Sequence, residues 1–312
     1  MEIKVNIGVV IVTYNRIELL KKTLDCLSKQ TKLPSYIILV DNASTDGTKE
    51  FTQKWVNEEE PFKKYLISSK TNTGGSGGFY MGEELAITLD ADWIYCSDDD
   101  AFPEPDALEK ASLFLESNSD SVNQISVIKP MIYSYGKIDL TNCRSVAKIG
   151  FIPVFFKARK SEYKKESFQT RVVSYVAPII NKKILIKAGL VKKDYIIWCD
   201  DEEHFYRLSK YGKILCVPDI KIHHDVTHAN IGYDWKYFYG VRNKLDWYKE
   251  HFGYVSYIYC KVQTLGVTFV RCLLHPAKAP QILKIVLDAF KAEKEGKFGL
   301  VDAYKPGWKI VF

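Results

Sequence analysis

A chain of 312 residues, 46% hydrophobic and 26% charged, can bury a large core; this excludes wholesale disorder and fits one large domain or a catalytic domain with an appendage. Its net charge of +6 is too small for a dedicated nucleic-acid binder but compatible with an anionic substrate or an anionic membrane surface. The seven cysteines (Cys26, Cys96, Cys143, Cys199, Cys216, Cys260 and Cys272) have no zinc-ligand or redox-motif spacing and read as reduced thiols in a cytosolic compartment.

Met1 to Val12 has neither a basic leading region nor a small-residue cleavage site, so it does not read as a signal peptide. Within it, Ile7 to Val12 is an unbroken apolar run, predicted as a buried strand that ends in Thr13-Tyr14-Asn15-Arg16. Ile17, Leu20, Leu24 and Leu27 then recur at helical spacing. Tyr36 to Val40 is a second buried strand, and Asp41-Asn42-Ala43-Ser44-Thr45-Asp46-Gly47-Thr48 supplies turn residues and caps for a helix over 48–56. Strands alternating with helices predict a parallel, nucleotide-binding type of sheet whose loops make the pocket.

Tyr65 to Ser69 is a third strand, followed by Asn72-Thr73-Gly74-Gly75-Ser76-Gly77-Gly78-Phe79. Four glycines in five residues form a backbone able to take positive φ and leave amides for an anion ahead of the next helix. A plain flexible loop is the other reading, since neither the dinucleotide fingerprint nor a P-loop is matched. Trp93 to Asp100 is an aromatic and β-branched strand that stops in three carboxylates, Asp98-Asp99-Asp100. Such acids repel one another unless a hard divalent cation neutralises them; a polar turn is the alternative.

Pro103 and Pro105 break the chain before a helix over 106–116, and Ser126 to Pro130 is another strand. From Met131 to Thr170 the pattern weakens, as expected of a variable, substrate-facing part. A strand over 172–177 and a helix over 182–188 closed by Gly189 lead to a second acidic cluster, Asp200-Asp201-Glu202-Glu203, at the mouth of a helix. Acids in a first turn favour the helix dipole, yet four in a row exceed what capping needs. The strand 214–217 passes through Pro218 to Ile222-His223-His224, with Ile222 and His224 on one face. From Tyr233 the chain turns to helices rich in aromatic and basic residues, with a boundary near residue 230; Tyr254 to Leu274 is apolar but interrupted by Lys261 and Arg271, hence interfacial or core rather than spanning.

Taken in order, Val12-Thr13-Tyr14-Asn15-Arg16, Val40 to Thr48, Asn72 with its glycines, Asp98-Asp99-Asp100, Trp198 with Asp200-Asp201-x-Glu203, His224 and Tyr239-x-x-Arg242-Asn243 resemble the inverting family 2 glycosyltransferases of the GT-A fold. The resemblance runs over residues 7–250, with a weaker match at Asp288-Ala289-Phe290 and Gly296 to Gly299, and is strongest to galactofuranosyltransferases. It implies an α/β fold, with a Rossmann-like, mostly parallel sheet flanked by helices over 1–230 and a helical region over 231–312. It implies Asp98, Asp100 and His224 as ligands of Mn²⁺ or Mg²⁺; Thr13, Arg16, Asp41, Asn72, Gly75, Asp98 and Asp99 on the sugar-nucleotide donor; Trp198, Asp201 and Glu203 on the acceptor sugar; and Asp200 as general base.

The activity implied is metal-dependent transfer of galactofuranose from UDP-galactofuranose to a cell-surface glycan on a lipid carrier, at the cytoplasmic face of the plasma membrane. A dTDP-rhamnose-dependent rhamnosyltransferase and a non-catalytic sugar-nucleotide or glycan-binding module are the alternatives, the full acid set with His224 arguing against the second. No nucleic-acid motif is present. The aromatics Trp235, Tyr237, Phe238, Tyr239, Trp247, Tyr248, Tyr254, Tyr257 and Tyr259, interleaved with lysines and arginines, suit attachment to an anionic membrane; packing onto the catalytic domain or a second subunit is the other reading.

Overall fold

The computed structural model describes residues 5–225 and 235–306. The expected boundary near residue 230 therefore lies outside the described residues. The first half alternates β1 (Ile7–Thr13), α1 (Ile17–Ser28), β2 (Tyr36–Asp41), α2 (Thr48–Val56), β3 (Lys63–Ser68), α3 (Gly74–Ala86) and β4 (Trp93–Asp98). Every residue of β1 and β2 is buried, because their continuous apolar runs are covered by helices on both faces.

There follow β5 (Phe102–Pro103), α4 (Ala107–Ser117), β6 (Ile125–Ser134), β7 (Lys137–Ile138), β8 (Cys143–Ile149), β9 (Ile152–Lys157), β10 (Phe168–Thr170), β11 (Val172–Val173) and β12 (Ile179–Asn181). The chain then forms α5 (Lys182–Ala188), α6 (Asp200–Leu208), β13 (Lys213–His223), α7 (Trp235–Phe252), α8 (Tyr254–Leu274) and α9 (Ala279–Lys294).

The main sheet runs β10-β13-β6-β12-β4-β1-β2-β3. Pairings within β4-β1-β2-β3 and between β13 and β6 are parallel, while β12 is inserted antiparallel between β4 and β6. The chain steps outward from β1 to β3 and then returns to the other side of β1 with β4. That reversal opens a crevice at the carboxyl ends of β1 and β4, where open α/β sheets hold ligands.

Three local expectations change. The glycine run is not a loop ahead of a helix but the first turns of α3 itself, where a Cβ on Gly78 would stand 2.5 Å from Val12 Cγ1 and one on Gly82 2.2 Å from Val10 Cγ1. Glycine is needed there so that the helix can lie close on β1. Pro218 does not end a strand either: β13 continues to His223 with a register shift between Val217 and Lys221, a bulge that removes the need for the missing amide. Finally, residues 131–170 do not line the cavity described below: their ends belong to the main sheet through β6, β7 and β10, and their middle, β8 and β9, joins β11 in a small antiparallel sheet.

Candidate active site

The ends of β1 to β4 carry the first group of residues. Thr13 and Asp41 are register partners on adjacent strands, and both are buried. Thr13 Oγ1 donates to Asp99 Oδ2 at 2.6 Å, and Thr23 Oγ1 donates to the Asp99 carbonyl at 2.7 Å, so α1 and β1 together fix the strand-end turn. Asp41 Oδ1 accepts the Ser44 amide at 3.0 Å. Asn42 Nδ2 donates to Asn72 Oδ1 at 3.1 Å and to the Gly74 carbonyl at 2.9 Å; Asn72 Oδ1 also accepts the Gly74 amide at 2.8 Å. These bonds tie the loops after β2 and β3 to the start of α3. Gly74 itself has φ +72, and a Cβ there would meet the Ile196 carbonyl at 2.0 Å. The amides of Thr73, Gly74 and Ser76 have protein acceptors, which leaves little of the run for an anion. Gly75 is the exception in setting, since it lines the cavity.

The three acids at the end of β4 divide by partner. Arg16 Nη1 donates to Asp99 Oδ1 at 3.3 Å and to Asp100 Oδ2 at 2.6 Å, and His224 Nε2 lies 3.1 Å from Asp100 Oδ1. Burial pushes Asp100 upward, but the hydrogen bond and charge of His224 and the charge of Arg16 outweigh it and leave its pKa below the usual value. Asp98 has no hydrogen-bond partner among the described residues; burial, then the charges of Asp100 and Asp99, raise it to about 7. Asp99 rises to about 6, chiefly through burial.

A half-buried carboxylate without a side-chain partner, beside a second carboxylate and an imidazole, is a donor set that fits Mn²⁺ or Mg²⁺. The ligand atoms of Asp98, Asp100 and His224 do not all close to within 4.8 Å of one another; among the described residues those of Glu203, Glu250 and His251 do. That second group is a salt-bridge network instead. Arg207 Nε donates to Glu203 at 2.8 Å, Lys192 pairs with Glu250, and Lys210 Nζ lies 2.6 Å from His251 Nδ1.

The second acidic cluster opens a cavity of about 780 Å³. Asp98, Trp198, Asp200, Asp201 and Glu202 line it, and so do Tyr237, Lys244, Gln263 and Arg271 from α7 and α8. The segment leading into α6 is contorted: Ile196, Trp198 and Cys199 have φ of 67, 62 and 63°. It is held by the buried pair Arg242 and Asn243. Asn243 Nδ2 donates to the carbonyls of Tyr195, Ile197 and Trp198 at 2.8, 3.1 and 2.9 Å, while Arg242 donates to the carbonyls of Asp194 at 2.9 Å and Gly299 at 2.9 Å. Gly240 leaves room for Trp198, whose ring a Cβ would meet at 2.6 Å. The Tyr239-x-x-Arg242-Asn243 motif is thus the clamp on the loop that presents the acids.

Within the cluster, burial and then the Glu202 charge raise Asp200 to about 7. Burial and the Glu202 charge also raise Asp201 well above its ordinary value. Burial opposes ionisation of Glu202, but bonding to Asp201 and the Arg144 charge, with Arg144 Nη2 at 2.9 Å, hold Glu202 below its ordinary value. Arg144 carries no signal in the sequence: it lies 58 residues from Glu202, and nothing local links the two. Tyr175 was missed as well. It lines the cavity stacked on Phe79 at 4.0 Å, with its hydroxyl donating to buried Glu83 at 2.8 Å.

Glu203 departs from its expected place on the acceptor. It is fully buried, bonded to Arg207 and to His251 Nε2 at 2.9 Å, and does not line the cavity. The helical turn carries it to the core side while Asp200 and Asp201 face the opening. Of the aromatics weighed for a membrane surface, Tyr254 is 71% exposed, but Phe238, Tyr239, Trp247, Tyr248 and Tyr257 are buried in one core with Val172, Ile196 and Tyr206. They pack the C-terminal helices onto the body of the protein.

Residues 8–187 match the family described as Glycosyl transferase family 2. The chain is 31% identical over 208 residues to galactofuranosyltransferase GlfT1 of Mycobacterium tuberculosis (strain ATCC 25618 / H37Rv), a match covering 65% of this chain and 64% of that protein. Among solved structures, GalNAc-T7 with UDP, GalNAc and Mn²⁺ superposes with TM-score 0.62 at 17% identity, over 78% of this chain and 48% of that one. The mannosyltransferase PcManGT of Pyrobaculum calidifontis, in complex with GDP-Man and Mn²⁺, has TM-score 0.56 at 14% identity, covering 95% and 88%. Both share the GT-A type of fold with this chain.

Proposed function

The chain belongs to glycosyl transferase family 2, and from that premise we propose that it is an inverting, metal-dependent galactofuranosyltransferase that uses UDP-galactofuranose and extends a lipid-linked cell-surface glycan at the cytoplasmic face of the plasma membrane. The observation that carries the reading is that Asp98, from the end of β4, and Asp200, from the start of α6, open into one cavity. Donor and acceptor chemistry can therefore meet there. The donor sugar rests on the likeness to GlfT1.

In this reading Asp41 binds the uridine, with Thr13, Arg16, Asn72, Gly75 and Asp99 around the rest of the donor. Asp98, Asp100 and His224 would hold Mn²⁺ or Mg²⁺, which when bound neutralises the departing diphosphate as a Lewis acid. Trp198 and Asp201 orient the acceptor sugar, and Glu202, braced by Arg144, adds a second carboxylate to that wall. Asp200 takes the proton of the acceptor hydroxyl as its oxygen attacks the anomeric carbon, and the bond to UDP breaks on the opposite face.

The test is UDP release from a panel of UDP and dTDP sugars with Mn²⁺ and a lipid-linked acceptor. UDP-galactofuranose is the expected donor, and Asp98→Ala, Asp100→Ala and His224→Ala should each lower turnover by at least ~100-fold. Full activity in chelator, or preference for a dTDP sugar, defeats the proposal.

A further inference from the structure

Tyr175 stands where three parts of the fold meet at the cavity. Its ring lines the cavity and stacks on Phe79 of α3 at 4.0 Å, and it also packs on Phe205 and His204 of α6, at ring-centroid distances of 5.0 and 5.9 Å. Its hydroxyl is shared between the same two helices: it donates to Glu83 Oε1 of α3 at 2.8 Å and contacts His204 Nδ1 of α6. The second oxygen of Glu83 accepts the Val191 amide at 3.0 Å. The backbone around Tyr175 is tied down separately. Lys129 Nζ, from β6, donates to the Ser174 carbonyl at 3.0 Å and to the Val176 carbonyl, and the amide of Cys96, two residues before Asp98 on β4, donates to the Pro178 carbonyl at 2.9 Å.

Two helix faces converge on that hydroxyl. Gly75, Phe79 and Glu83 are four residues apart on one face of α3, and the first two line the cavity. Asp200 and His204 share a face of α6 one turn apart, and Asp200 lines the cavity too. Burial first, then the charge of Glu83 and, with smaller weight, that of Asp200 hold the Tyr175 hydroxyl well above its ordinary pKa, so the base and the hydroxyl feel each other.

Glu83 and His204 are fully buried, and Tyr175 is 5% exposed. Apolar side chains of similar size would fill this space without the cost of stripping water from a carboxyl and an imidazole. Polar groups add direction: hydrogen bonds select one arrangement of the two helices where apolar contact alone would admit several. One arrangement is what the transfer needs, because Asp98 and Asp200 sit on different elements and a displacement of about 1 Å between reacting groups can cost on the order of 10²-fold in rate.

We infer that the Tyr175 hydroxyl, with Glu83 and His204, is a positioning group for the transfer: by tying α6 to α3 it fixes Asp200 relative to the donor side of the cavity. The hydroxyl acts through Asp200 and not on the sugar. The inference deepens the proposed mechanism and rests on its reading of Asp200 as the base.

Turnover with UDP-galactofuranose, Mn²⁺ and a lipid-linked acceptor, UDP affinity by calorimetry and the urea midpoint together test it. Tyr175→Phe keeps the ring on Phe79 but strands Glu83 and His204, so the midpoint should fall, and turnover should fall at least ~10-fold with UDP affinity near wild type. The triple variant Glu83→Met, Tyr175→Phe, His204→Leu removes the stranded groups; its midpoint should return to the wild-type value or above it while turnover stays low. Turnover that returns with the midpoint would overturn the inference, since the network would then serve stability alone. A second arm combines Tyr175→Phe with Asp200→Asn. A group that acts through Asp200 has little left to lose once that base is gone, so Tyr175→Phe should change the rate of Asp200→Asn far less than it changes the wild-type rate. An equal factor in both backgrounds, or wild-type turnover in Tyr175→Phe, defeats the positioning role and leaves the base assignment standing. Wild-type turnover in Asp200→Asn would instead remove the base itself, and this role with it.

Discussion

Asp200 is half-buried at the first residue of α6, where burial and the neighbouring Glu202 charge bring its carboxyl to about 7. A general base works only when deprotonated. At saturating donor and acceptor the transfer rate is therefore expected to fall about tenfold per pH unit below a bend near 7 and to level off above it. Asp200→Asn fills the same space without accepting the proton, so donor affinity by calorimetry should stay near wild type while turnover drops roughly 10²–10⁴-fold and the acidic limb disappears. Loss of donor affinity in Asp200→Asn, with only rate lost in Asp201→Asn, would exchange the two assignments. Glu203 shows how narrow the margin is, since a position three residues on, in the same acidic run, belongs to a buried network with Arg207 and His251.

Replacing glycine by alanine inside a helix ordinarily stabilises by about 1 kcal/mol. At Gly78 the sign reverses, because the new Cβ would stand 2.5 Å from Val12 Cγ1 on a fully buried strand, and Gly78→Ala should cost about 1–3 kcal/mol. Gly75→Ala, where a Cβ meets nothing within 4 Å, should leave the urea midpoint unchanged or raised. Equal midpoints for the two variants would mean that close packing on β1 is not what the glycines provide. On α7, Asn243→Ala leaves the carbonyls of Tyr195, Ile197 and Trp198 without their shared donor. A stability loss on the order of 1–3 kcal/mol is expected, together with a fall in turnover larger than any change in donor affinity. A variant with wild-type turnover would show that the contorted loop holds its shape without the clamp.

For the molecule as a whole, one core joins the sheet-bearing part to the C-terminal helices: Val172, Ile196 and Tyr206 are buried among Phe238, Trp247 and Ile282. The cavity has the same composite origin, with α7 and α8 forming the wall opposite the acids. A chain stopped after residue 225 should expose those apolar side chains, aggregate or unfold without a cooperative transition, and lose transfer. A soluble, cooperatively folding fragment with wild-type turnover would show instead that the helices are dispensable.

Local pattern was enough for much of this architecture. The continuous apolar runs of β1, β2 and β4, and the helices over 48–56 and 254–274, could be read directly, because periodicity and turn chemistry act between residues a few positions apart. The same holds for the delivery of Asp98, Asp99 and Asp100 to the sheet edge, since a strand that ends in acids must end there. Tertiary structure alone decided the rest. It placed the glycine run inside α3, turned Glu203 inward, brought Arg144 to Glu202 and buried Phe238, Tyr239, Trp247 and Tyr248 of α7 while leaving Val262, Phe269 and Leu273 of α8 exposed. Periodicity says which face of an element is apolar; it does not say what will cover that face, because the partner comes from a distant part of the chain whose position is settled only by packing.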